Sequence, residues 1–421
     1  MIKILSDNTD KVFKRVNAKV DALKIVSDII LDVKNNGDKA LKEYTLKFDK
    51  ANLTELRVTE EEIEEAINLV DKKFIDILNH SAKNIRAFCE KQLRNGFEFI
   101  NADGALVGQK IVPVDRAGLY VPGGTAAYPS TVLMDAIPAL VAGVGRVVMV
   151  TPPNKEGKIN PVILASASIA GVKEIYKVGG AQAIAALAYG TETVPKVDKI
   201  VGPGNAFVAE AKKQVFGLVS IDMIAGPSEI MIVADGKNNP EYIASDLLSQ
   251  AEHDKMAEAV LITDDEKFAS EVAEEIEKQI PLLLRADIAR ASIDENGKII
   301  VVSNIEKAIE LANELAPEHL ELCLDNPKEY LDKVKHAGSV FLGRNCPEAM
   351  GDYIAGPNHT LPTSGTAKFS SALSVDDFIK KVQYVYYDEK ALLNTAKDVE
   401  YFAKKEGLTA HAKSAVIRLK D

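Results

Sequence analysis

Between about residue 18 and residue 95, apolar residues recur every three or four positions, the spacing that lines one face of an α-helix. The clearest series is Val20, Leu23, Val26, Ile29, Ile30 and Val33, and residues 60–78 repeat the pattern. The sequence therefore predicts that this first part of the chain is helical.

From Gly118 onward, the pattern changes to short apolar runs, most of them closed by glycine, proline or a polar residue, with helical stretches between them. The runs up to residue 229 are LYVPGG (119–124), VVMVTPP (147–153), IYKVGG (175–180), KIVGPG (199–204) and IDMIAGPSE (221–229). The later runs are IMIVAD (230–235), AVLITDD (259–265), IIVVSN (299–304), LELCLDN (320–326) and SVFLG (339–343). A spacing of roughly 22 to 28 residues in the first series is that of strand–turn–helix units, and near-continuous apolar strands are typical of a parallel sheet covered on both faces. The pattern predicts two α/β domains of the doubly wound type.

The two series meet near Ala225-Gly226-Pro227. We assign residues 1–17 to an N-terminal segment, residues 18–119 with 230–373 to a discontinuous first domain, and residues 120–229 to a second domain. Residues 374–421 form a tail, predicted to be mostly helical from Asp388 to Arg418. Ligands of doubly wound sheets bind beyond the carboxyl ends of the strands, so we expect the turns VPGG, VGG, VGPG and AGPSE to lie along that edge.

The composition narrows the class of protein. Of 421 residues, 47% are hydrophobic and 27% are charged, which is typical of a globular protein. The net charge of −11 argues against nucleic acid or an anionic membrane as a partner, because both attract a basic surface. The most apolar run, residues 131–150, is interrupted by Asp135, Pro138 and Arg146. It therefore predicts a core helix followed by a strand, and no membrane span.

The cysteines and the first residues favour a cytoplasmic protein. Cys89, Cys323 and Cys346 have no CxxC spacing and fit a reducing compartment. The stretch MIKILSDNTDKVFKRV lacks the apolar segment of a secretory signal. Cys346 has an alternative interpretation, as a nucleophile for aldehyde oxidation, but no basic or histidine neighbour in sequence would activate it, so we favour a bystander.

Candidate metal-binding side chains lie in short polar stretches that contain four of the six histidines. Gln250 and His253 are three residues apart in SDLLSQAEHD, so on one helix they share a face and can reach one cation. The alternative is that Gln250 lies at the surface and His253 caps the helix end. In GDYIAGPNH, Asp352 and His359 lie in a loop stiffened by glycine and proline, and the Asp352 carboxylate is an oxygen ligand that zinc accepts.

Candidate bases stand in the other two of these stretches. Glu318 and His319 lie at the entrance of the apolar strand LELCL, where neighbouring side chains face different ways and can act on different protons. Histidine titrates near neutral pH, which suits general-base catalysis. The alternative is a surface pair at a domain edge. Glu406 and His411 are five apart in EGLTAH and do not share a face of one continuous helix, so a solvated tail explains them as well.

Two turns indicate a site for a phosphate group. VGPGNAF and VGGAQAIAAL place glycines at strand–helix junctions, where the backbone can approach a phosphate that also faces a helix N-terminus. Neither turn is a GxGxxG motif, so the turns alone leave a dinucleotide cofactor open.

Six blocks of sequence, in order, resemble the histidinol dehydrogenase family. They are RAGLYVPGGTAAYPSTVLM, VGGAQAIAALAYGTETVPKVDKIVGPGNAFVAEAKKQV, AGPSEIMIVAD, LLSQAEHD, APEHLEL and GPNHTLPTSGTA. The resemblance implies two incomplete Rossmann-like domains of an aldehyde-dehydrogenase-like fold, with short terminal segments. It also implies a homodimer in which the C-terminal tail of one subunit completes its partner's site. The implied reaction is the oxidation of L-histidinol to L-histidine through L-histidinal with two NAD⁺, the last step of histidine biosynthesis.

The same resemblance implies roles for particular residues. The zinc ligands fall on Gln250, His253, Asp352 and His411. Substrate contacts fall on Ser228, Gln250, His253, His319, Asp352, His359, Glu406 and His411, and NAD contacts on Tyr120, Gln182 and Asn205. We expect His319 to remove the alcohol proton and Glu318 to help activate water against histidinal. The alternatives are a related dehydrogenase for another small alcohol, a zinc hydrolase with Glu318 as base, and a metal-binding protein without catalysis.

Overall fold

The computed structural model describes residues 2–6, 22–123 and 127–419. Val20, most of the predicted N-terminal segment 1–17 and Gly124 of the VPGG turn lie outside these ranges. By compactness the chain divides into two units, residues 1–92 with 115–378, and residues 93–114 with 379–421.

The first unit begins with a short strand and three helices, and the helices confirm the prediction from apolar spacing. They are β1 (Lys3–Ser6), α1 (Leu23–Phe48), α2 (Glu60–Leu69) and α3 (Lys72–Lys91). The apolar series on α1 is buried from Val26 to Val33 at its predicted positions. Helix α2 starts at a capping box, in which Thr59 and Glu62 exchange side chain–backbone hydrogen bonds. The chain then forms two strands of the second unit, β2 (Phe97–Ile100) and β3 (Leu106–Pro113).

A five-stranded parallel sheet follows, with strand order β6-β5-β4-β7-β8. Its elements are β4 (Arg116–Tyr120), α4 (Pro129–Val141), β5 (Arg146–Thr151), α5 (Pro161–Ala170), β6 (Glu174–Lys177), α6 (Gly180–Tyr189), β7 (Lys199–Val201), α7 (Ala206–Val215) and β8 (Ser220–Ile221). Helices α1, α6 and α7 share one apolar core with the strands, while α4 and α5 pack together elsewhere on the sheet. The apolar run at 131–150 forms α4 and β5, as predicted.

A six-stranded parallel sheet is formed by the later runs together with β1, in the order β1-β11-β10-β9-β12-β13. Its other elements are β9 (Glu229–Ala234), α8 (Pro240–Ala251), β10 (Glu258–Thr263), α9 (Glu266–Gln279), α10 (Ala286–Glu295), β11 (Lys298–Val301), α11 (Ile305–Leu315), β12 (His319–Cys323), α12 (Lys328–Leu331), β13 (Ser339–Leu342) and the single turn α13 (Glu348–Met350). Separate apolar cores cover its two faces, one with α8, α9 and α10 and the other with α11. Every predicted apolar run overlaps a strand, although the run 221–229 shares only Ile221 with β8 and Glu229 with β9. Strand β9 is buried at all its positions, as a covered parallel sheet requires.

The second unit contains a three-stranded antiparallel sheet in which β14 (Ile379–Tyr386) pairs with β3, and β3 pairs with β2. Two helices follow, α14 (Glu389–Lys405) and α15 (Thr409–Val416). The predicted helical tail is therefore correct after residue 388, but the pattern missed β14. Both faces of β14 are largely exposed, so its sequence carries no apolar stripe to predict it.

The fold class predicted from the sequence is confirmed, since both large sheets are parallel and carry helices. Strand β8 ends at Ile221 and β9 begins at Glu229, so the strands of the two sheets are separated by residues 222–228. The four domain ranges assigned above stay predictions. Among the residues described, no helix is long and apolar enough to cross a membrane.

Candidate active site

Several of the ionisable residues singled out above lie at the amino ends of strands in the six-stranded sheet. His319 is the first residue of β12, and it pairs with Ile230, the second residue of β9. Glu318 precedes β12 directly, and Glu229 begins β9. The prediction that Glu318 and His319 lie at the entrance of the strand LELCL is therefore confirmed, and the loops that precede β9 and β12 bring these side chains to the amino ends of the strands.

The imidazole of His319 is held by the backbone of the neighbouring strand. Its Nδ1 atom lies 2.9 Å from the Glu229 carbonyl oxygen, which can only accept a hydrogen, so Nδ1 carries the proton. The buried Nε2 has no hydrogen-bond partner among the described residues and lies 3.6 Å from Asp352 Oδ1. Burial opposes charge on the ring, but the nearby carboxylates of Glu318 and Asp352 outweigh burial and raise the pKa of His319 to about 10.

Glu318 is bound by the same backbone residue. Its Oε2 accepts a hydrogen bond of 2.8 Å from the Glu229 N–H and lies 3.7 Å from His319 Nδ1. Burial raises the pKa of Glu318 to about 8, although the neighbouring imidazole opposes this shift. A carboxyl group with such a pKa exchanges protons near neutral pH, which general acid–base catalysis requires.

Gln250 and His253 do not share a helix face, because α8 ends at Ala251. His253 lies in the following turn, where its N–H donates to the Gln250 carbonyl oxygen at 3.0 Å. Gln250 is buried, and its side-chain Oε1 has no hydrogen-bond partner in the described part of the chain. Burial lowers the pKa of the His253 ring, although the negative charge of Asp352 opposes this shift. The ring is therefore favoured in its neutral form, which is the form that binds metal ions.

Asp352 lies in a π-helical turn, Gly351–Ala355, that is tied to helix α3. Ser81 Oγ donates to the Tyr353 carbonyl oxygen at 2.6 Å, and Asn84 Nδ2 donates to the Ile354 carbonyl oxygen at 2.8 Å. Burial alone would raise the pKa of Asp352, but His319 outweighs it and the pKa is lowered. Asp352 is therefore favoured in its anionic form, in a turn that hydrogen bonds from side chains of α3 hold in place. His359 follows at the end of this loop, half-buried, and burial lowers its pKa.

Glu348 was missed by the sequence reasoning. Ligand atoms of His319, Glu348 and Asp352 all lie within 4.8 Å of one another, a grouping able to hold a metal ion. Glu348 is buried, and its Oε2 accepts a hydrogen bond of 2.9 Å from the Ser249 hydroxyl, next to Gln250 in the chain. The sequence carried one indication of Glu348. It lies four residues before Asp352 in GRNCPEAMGDY, and residues four apart share a face of a helix.

The donor atoms suit a divalent zinc ion. Zinc accepts imidazole nitrogen and carboxylate or amide oxygen, and such atoms are offered by His253, Asp352 and Gln250. Burying an amide oxygen without a hydrogen-bond partner costs free energy unless a ligand binds that oxygen. Gln250 Oε1 is such an oxygen in the described part of the chain. Electrostatic interactions link His253, His319, Asp352 and His359, so the structure brings these four side chains into one group.

Three residues expected to contact NAD lie at or just beyond the carboxyl ends of strands in the five-stranded sheet, as predicted for its turns. Tyr120 ends β4, and its hydroxyl accepts the Gly180 N–H at 3.1 Å. Gln182 is buried in the first turn of α6. Asn205 caps α7, its Oδ1 accepting the N–H groups of Phe207 and Val208. The N-termini of α6 and α7 therefore open at this edge, where a phosphate is favourable.

The remaining expected site residues are placed as follows. Ser228 is half-buried in the segment before β9, and its carbonyl oxygen accepts the Glu258 N–H at 3.0 Å. Glu406 and His411 belong to the second compact unit. Glu406 is the C-cap of α14, His411 lies in α15, and both are exposed. Gly407, with φ +76°, separates the two helices, so they do not form one continuous helix.

Comparisons with known proteins match the chain over nearly its whole length. Residues 13–419 match the family model described as "Histidinol dehydrogenase". The histidinol dehydrogenase of Clostridium acetobutylicum is 52% identical over 428 residues, covering 100% of this chain and 99% of the relative. That of Bacillus cereus is 53% identical over 420 residues, covering 100% of this chain and 96% of the relative.

A solved structure matches the fold as closely. The crystal structure of histidinol dehydrogenase from Elizabethkingia anophelis superposes with a TM-score of 0.95 at 42% sequence identity, covering 100% of this chain and 98% of that one.

Proposed function

The chain belongs to the histidinol dehydrogenase family, an oxidoreductase family of histidine biosynthesis, and on that premise we propose a zinc- and NAD-dependent mechanism. The reaction is the four-electron oxidation of L-histidinol to L-histidine through L-histidinal. The observation that carries the mechanism is the buried pair of Glu318 and His319, both bound to the backbone of Glu229. The family match supports neither a zinc hydrolase nor a dehydrogenase for another alcohol.

His319 is the base for both oxidations once a bound cation offsets the carboxylates that raise its pKa to about 10. Because Nδ1 donates to the Glu229 carbonyl, Nε2 is the atom that can take a proton. In the first oxidation the hydroxyl proton of histidinol passes to Nε2, and bound NAD⁺ would accept the hydride of the carbinol carbon, which leaves histidinal. Positioning the carbinol carbon beside the nicotinamide can contribute roughly 7–11 kcal/mol at best.

Glu318 acts between the two oxidations. It takes a proton from water as the water oxygen adds to the histidinal carbonyl, while the protonated Nε2 of His319 gives its proton to the carbonyl oxygen. This yields the aldehyde hydrate and returns His319 to its neutral form, and Glu318 releases its proton to solvent. The hydrate then loses a proton to His319 and a hydride to a second NAD⁺, which leaves histidine. The raised pKa of Glu318, about 8, allows the carboxyl group to take up and release this proton near neutral pH. No thiol takes part, so Cys346 is a bystander.

Gln250, His253, Asp352 and His411 would hold the zinc ion, with His411 supplied by the second subunit of a homodimer. The unpartnered oxygen of Gln250 supports this assignment. When bound, zinc supplies a positive charge that fixes the amino and imidazole groups of the substrate and offsets the carboxylates around His319. Ser228, His359 and Glu406 complete the substrate contacts, again with Glu406 from the second subunit.

Tyr120, Gln182 and Asn205 would contact NAD, and their place at the helix N-termini of the five-stranded sheet supports this assignment. We also propose a cytoplasmic location, which the scattered cysteines favour. Fractionation of the cells that make the protein tests this location.

The test of the proposed function is NADH formation by purified protein with histidinol, before and after removal of metal by a chelator. We expect activity to be lost with the chelator and restored by zinc. A panel of small alcohols without an imidazole group should give no NADH. Turnover without NAD⁺, or equal activity on the alcohol panel, would contradict the proposal. Mixing inactive His411→Asn and His319→Asn subunits tests the dimer, because only shared sites regain activity.

A further inference from the structure

A buried polar network lies beside the cofactor-side turn and is not used by the mechanism above. Its side chains are Lys212 of α7, Asp222 after β8, Asp135 of α4 and Thr360. Lys212 is 2% exposed, Asp135 is fully buried, and the Asp222 side chain is 1% exposed. Buried charges are costly even when paired, and apolar side chains would fill the same space, so an ion pair at this position needs a reason beyond packing.

The ion pair of Lys212 and Asp222 holds both backbone groups of Gly202. Asp222 Oδ2 accepts the Gly202 N–H at 2.8 Å, and Lys212 Nζ donates to the Gly202 carbonyl oxygen at 3.0 Å. Gly202 has φ +114°, a conformation open to glycine, and it begins the turn that ends at Asn205. The ion pair therefore sets the path of the turn that carries an expected NAD contact.

The other half of the network holds the two neighbours of His359. Thr360 Oγ1 donates to Asp135 Oδ1 at 3.0 Å, and Asn358 Nδ2 donates to the Met134 carbonyl oxygen at 2.6 Å. Met134 and Asp135 are consecutive residues of α4, so the loop is tied to one helix on both sides of His359.

Asp135 connects the two halves. Its Oδ2 has no hydrogen-bond partner among the described residues and lies 2.9 Å from the position that a Cβ atom at Gly202 would take. One carboxyl group therefore has one oxygen next to Gly202 of the cofactor-side turn, while the other oxygen accepts a hydrogen bond from the substrate loop.

We propose that Lys212, Asp222 and Asp135 are positioning residues that fix the 202–205 turn for the nicotinamide cofactor and tie it to the loop of His359. This inference rests on the proposed function, which places the cofactor at Asn205 and the substrate at His359. None of the three side chains needs to touch either ligand. They act through Gly202 and Thr360.

The experiment compares three variants of the zinc-loaded protein by thermal unfolding, NADH binding and steady-state kinetics. Asp222→Asn removes the negative charge paired with Lys212 and one side-chain oxygen that can accept a backbone N–H. Thr360→Val removes the hydroxyl that reaches Asp135. Lys298→Met is the control, because Lys298 also forms a buried ion pair, with Glu258, but in the six-stranded sheet.

We expect Asp222→Asn to raise the NADH dissociation constant roughly tenfold, about the effect of one lost hydrogen bond to a charged group. We expect Thr360→Val to raise KM for histidinol several-fold with kcat retained, and the control to change neither constant. The double variant Asp222→Asn/Thr360→Val should depart from additivity, because Asp135 contacts both halves.

Folded Asp222→Asn protein that binds NADH like the wild type would overturn the inference, as would strict additivity in the double variant. If Asp222→Asn does not fold, Lys212→Met/Asp222→Asn removes both charges and serves the same comparison. Failure of the wild type to bind NADH would instead overturn the proposed function itself, so the two failures are distinguishable.

Discussion

The Nδ1 atom of His319 lies 2.9 Å from the carbonyl oxygen of Glu229, while the N–H of the same Glu229 donates to Glu318 at 2.8 Å. Adjacent parallel strands thus orient both proposed bases through one backbone residue. The contact to the carbonyl oxygen leaves Nε2 of His319 as the only ring atom able to accept a proton. A division of labour between the two side chains follows from this geometry.

His319→Asn should lower the rate of both oxidations by roughly 10²- to 10⁴-fold, the usual contribution of a general base. Glu318→Gln should slow oxidation of histidinal much more than oxidation of histidinol, because only the aldehyde needs activated water. The measurement is NADH formation with each substrate supplied separately. His336→Asn, which changes a histidine outside the candidate site, is the matched control. Equal losses in both half-reactions for Glu318→Gln would remove the division of labour.

Gln250→Ala should weaken zinc binding by at least tenfold while leaving the fold intact, because the Gln250 Oε1 has no hydrogen-bond partner to lose among the described residues. The measurement is competition for zinc against a chelator of known affinity, with thermal unfolding recorded alongside. Gln279→Ala is the control, since Gln279 is a half-buried helix residue outside the candidate site whose side chain donates to the Glu241 carbonyl oxygen. Unchanged zinc affinity in Gln250→Ala would exclude this residue as a ligand.

Gly202→Ala should destabilise the protein far more than Gly217→Ala. Both glycines have positive φ, +114° and +100°, so each substitution carries backbone strain of about 1–2 kcal/mol. A Cβ at Gly202 would also overlap the Tyr120 carbonyl oxygen, whereas one at Gly217 meets nothing within 4 Å. Overpacking of this kind adds about 1–3 kcal/mol. Urea unfolding of the two variants measures the difference, and equal stabilities would show that the turn relaxes.

Asp135→Asn should reduce the pH dependence of stability. Burial, with the nearby Asp222 adding to it, raises the pKa of Asp135 well above its ordinary value. A raised folded-state pKa means that Asp135 contributes most stability below its unfolded pKa, about 3.9, and loses it as pH rises toward the folded value. Asparagine stays neutral, so the variant should gain stability relative to wild type as pH rises from about 4 to 7. Urea unfolding at several pH values measures this, and a constant difference across that range would contradict it.

The fold was predictable where a fully buried strand has an uninterrupted apolar sequence. Strand β9, buried at every position, appears as the apolar run IMIVAD. Strand β14 is exposed on both faces and leaves no such run, and β1 is too short to show one. The amino-end position of His319 was predictable, because Glu318 and His319 directly precede the apolar run LELCL, although the general rule for parallel sheets places ligands at the other edge.

The candidate site was predictable where its residues cluster in the chain. Glu318 with His319, and Gln250 with His253, stood out as short polar runs, although α8 ends before His253 and the two do not share its face. The spacing of four residues from Asp352 was not enough to choose Glu348 among the many glutamates. The choice became clear only when the fold placed its carboxylate near that of Asp352. Asp222 could not be chosen from the sequence either, because its partners Gly202 and Lys212 are remote from it in the chain and form no short motif with it.

The most direct test of the central claim is the number of NADH molecules formed per histidinol when a limiting amount of substrate is consumed by zinc-loaded protein. The account predicts two, with histidine as the only product, because His319 serves both oxidations and Glu318 activates the water that is added between them. A yield of one with accumulation of histidinal, or no NADH at all, would contradict it.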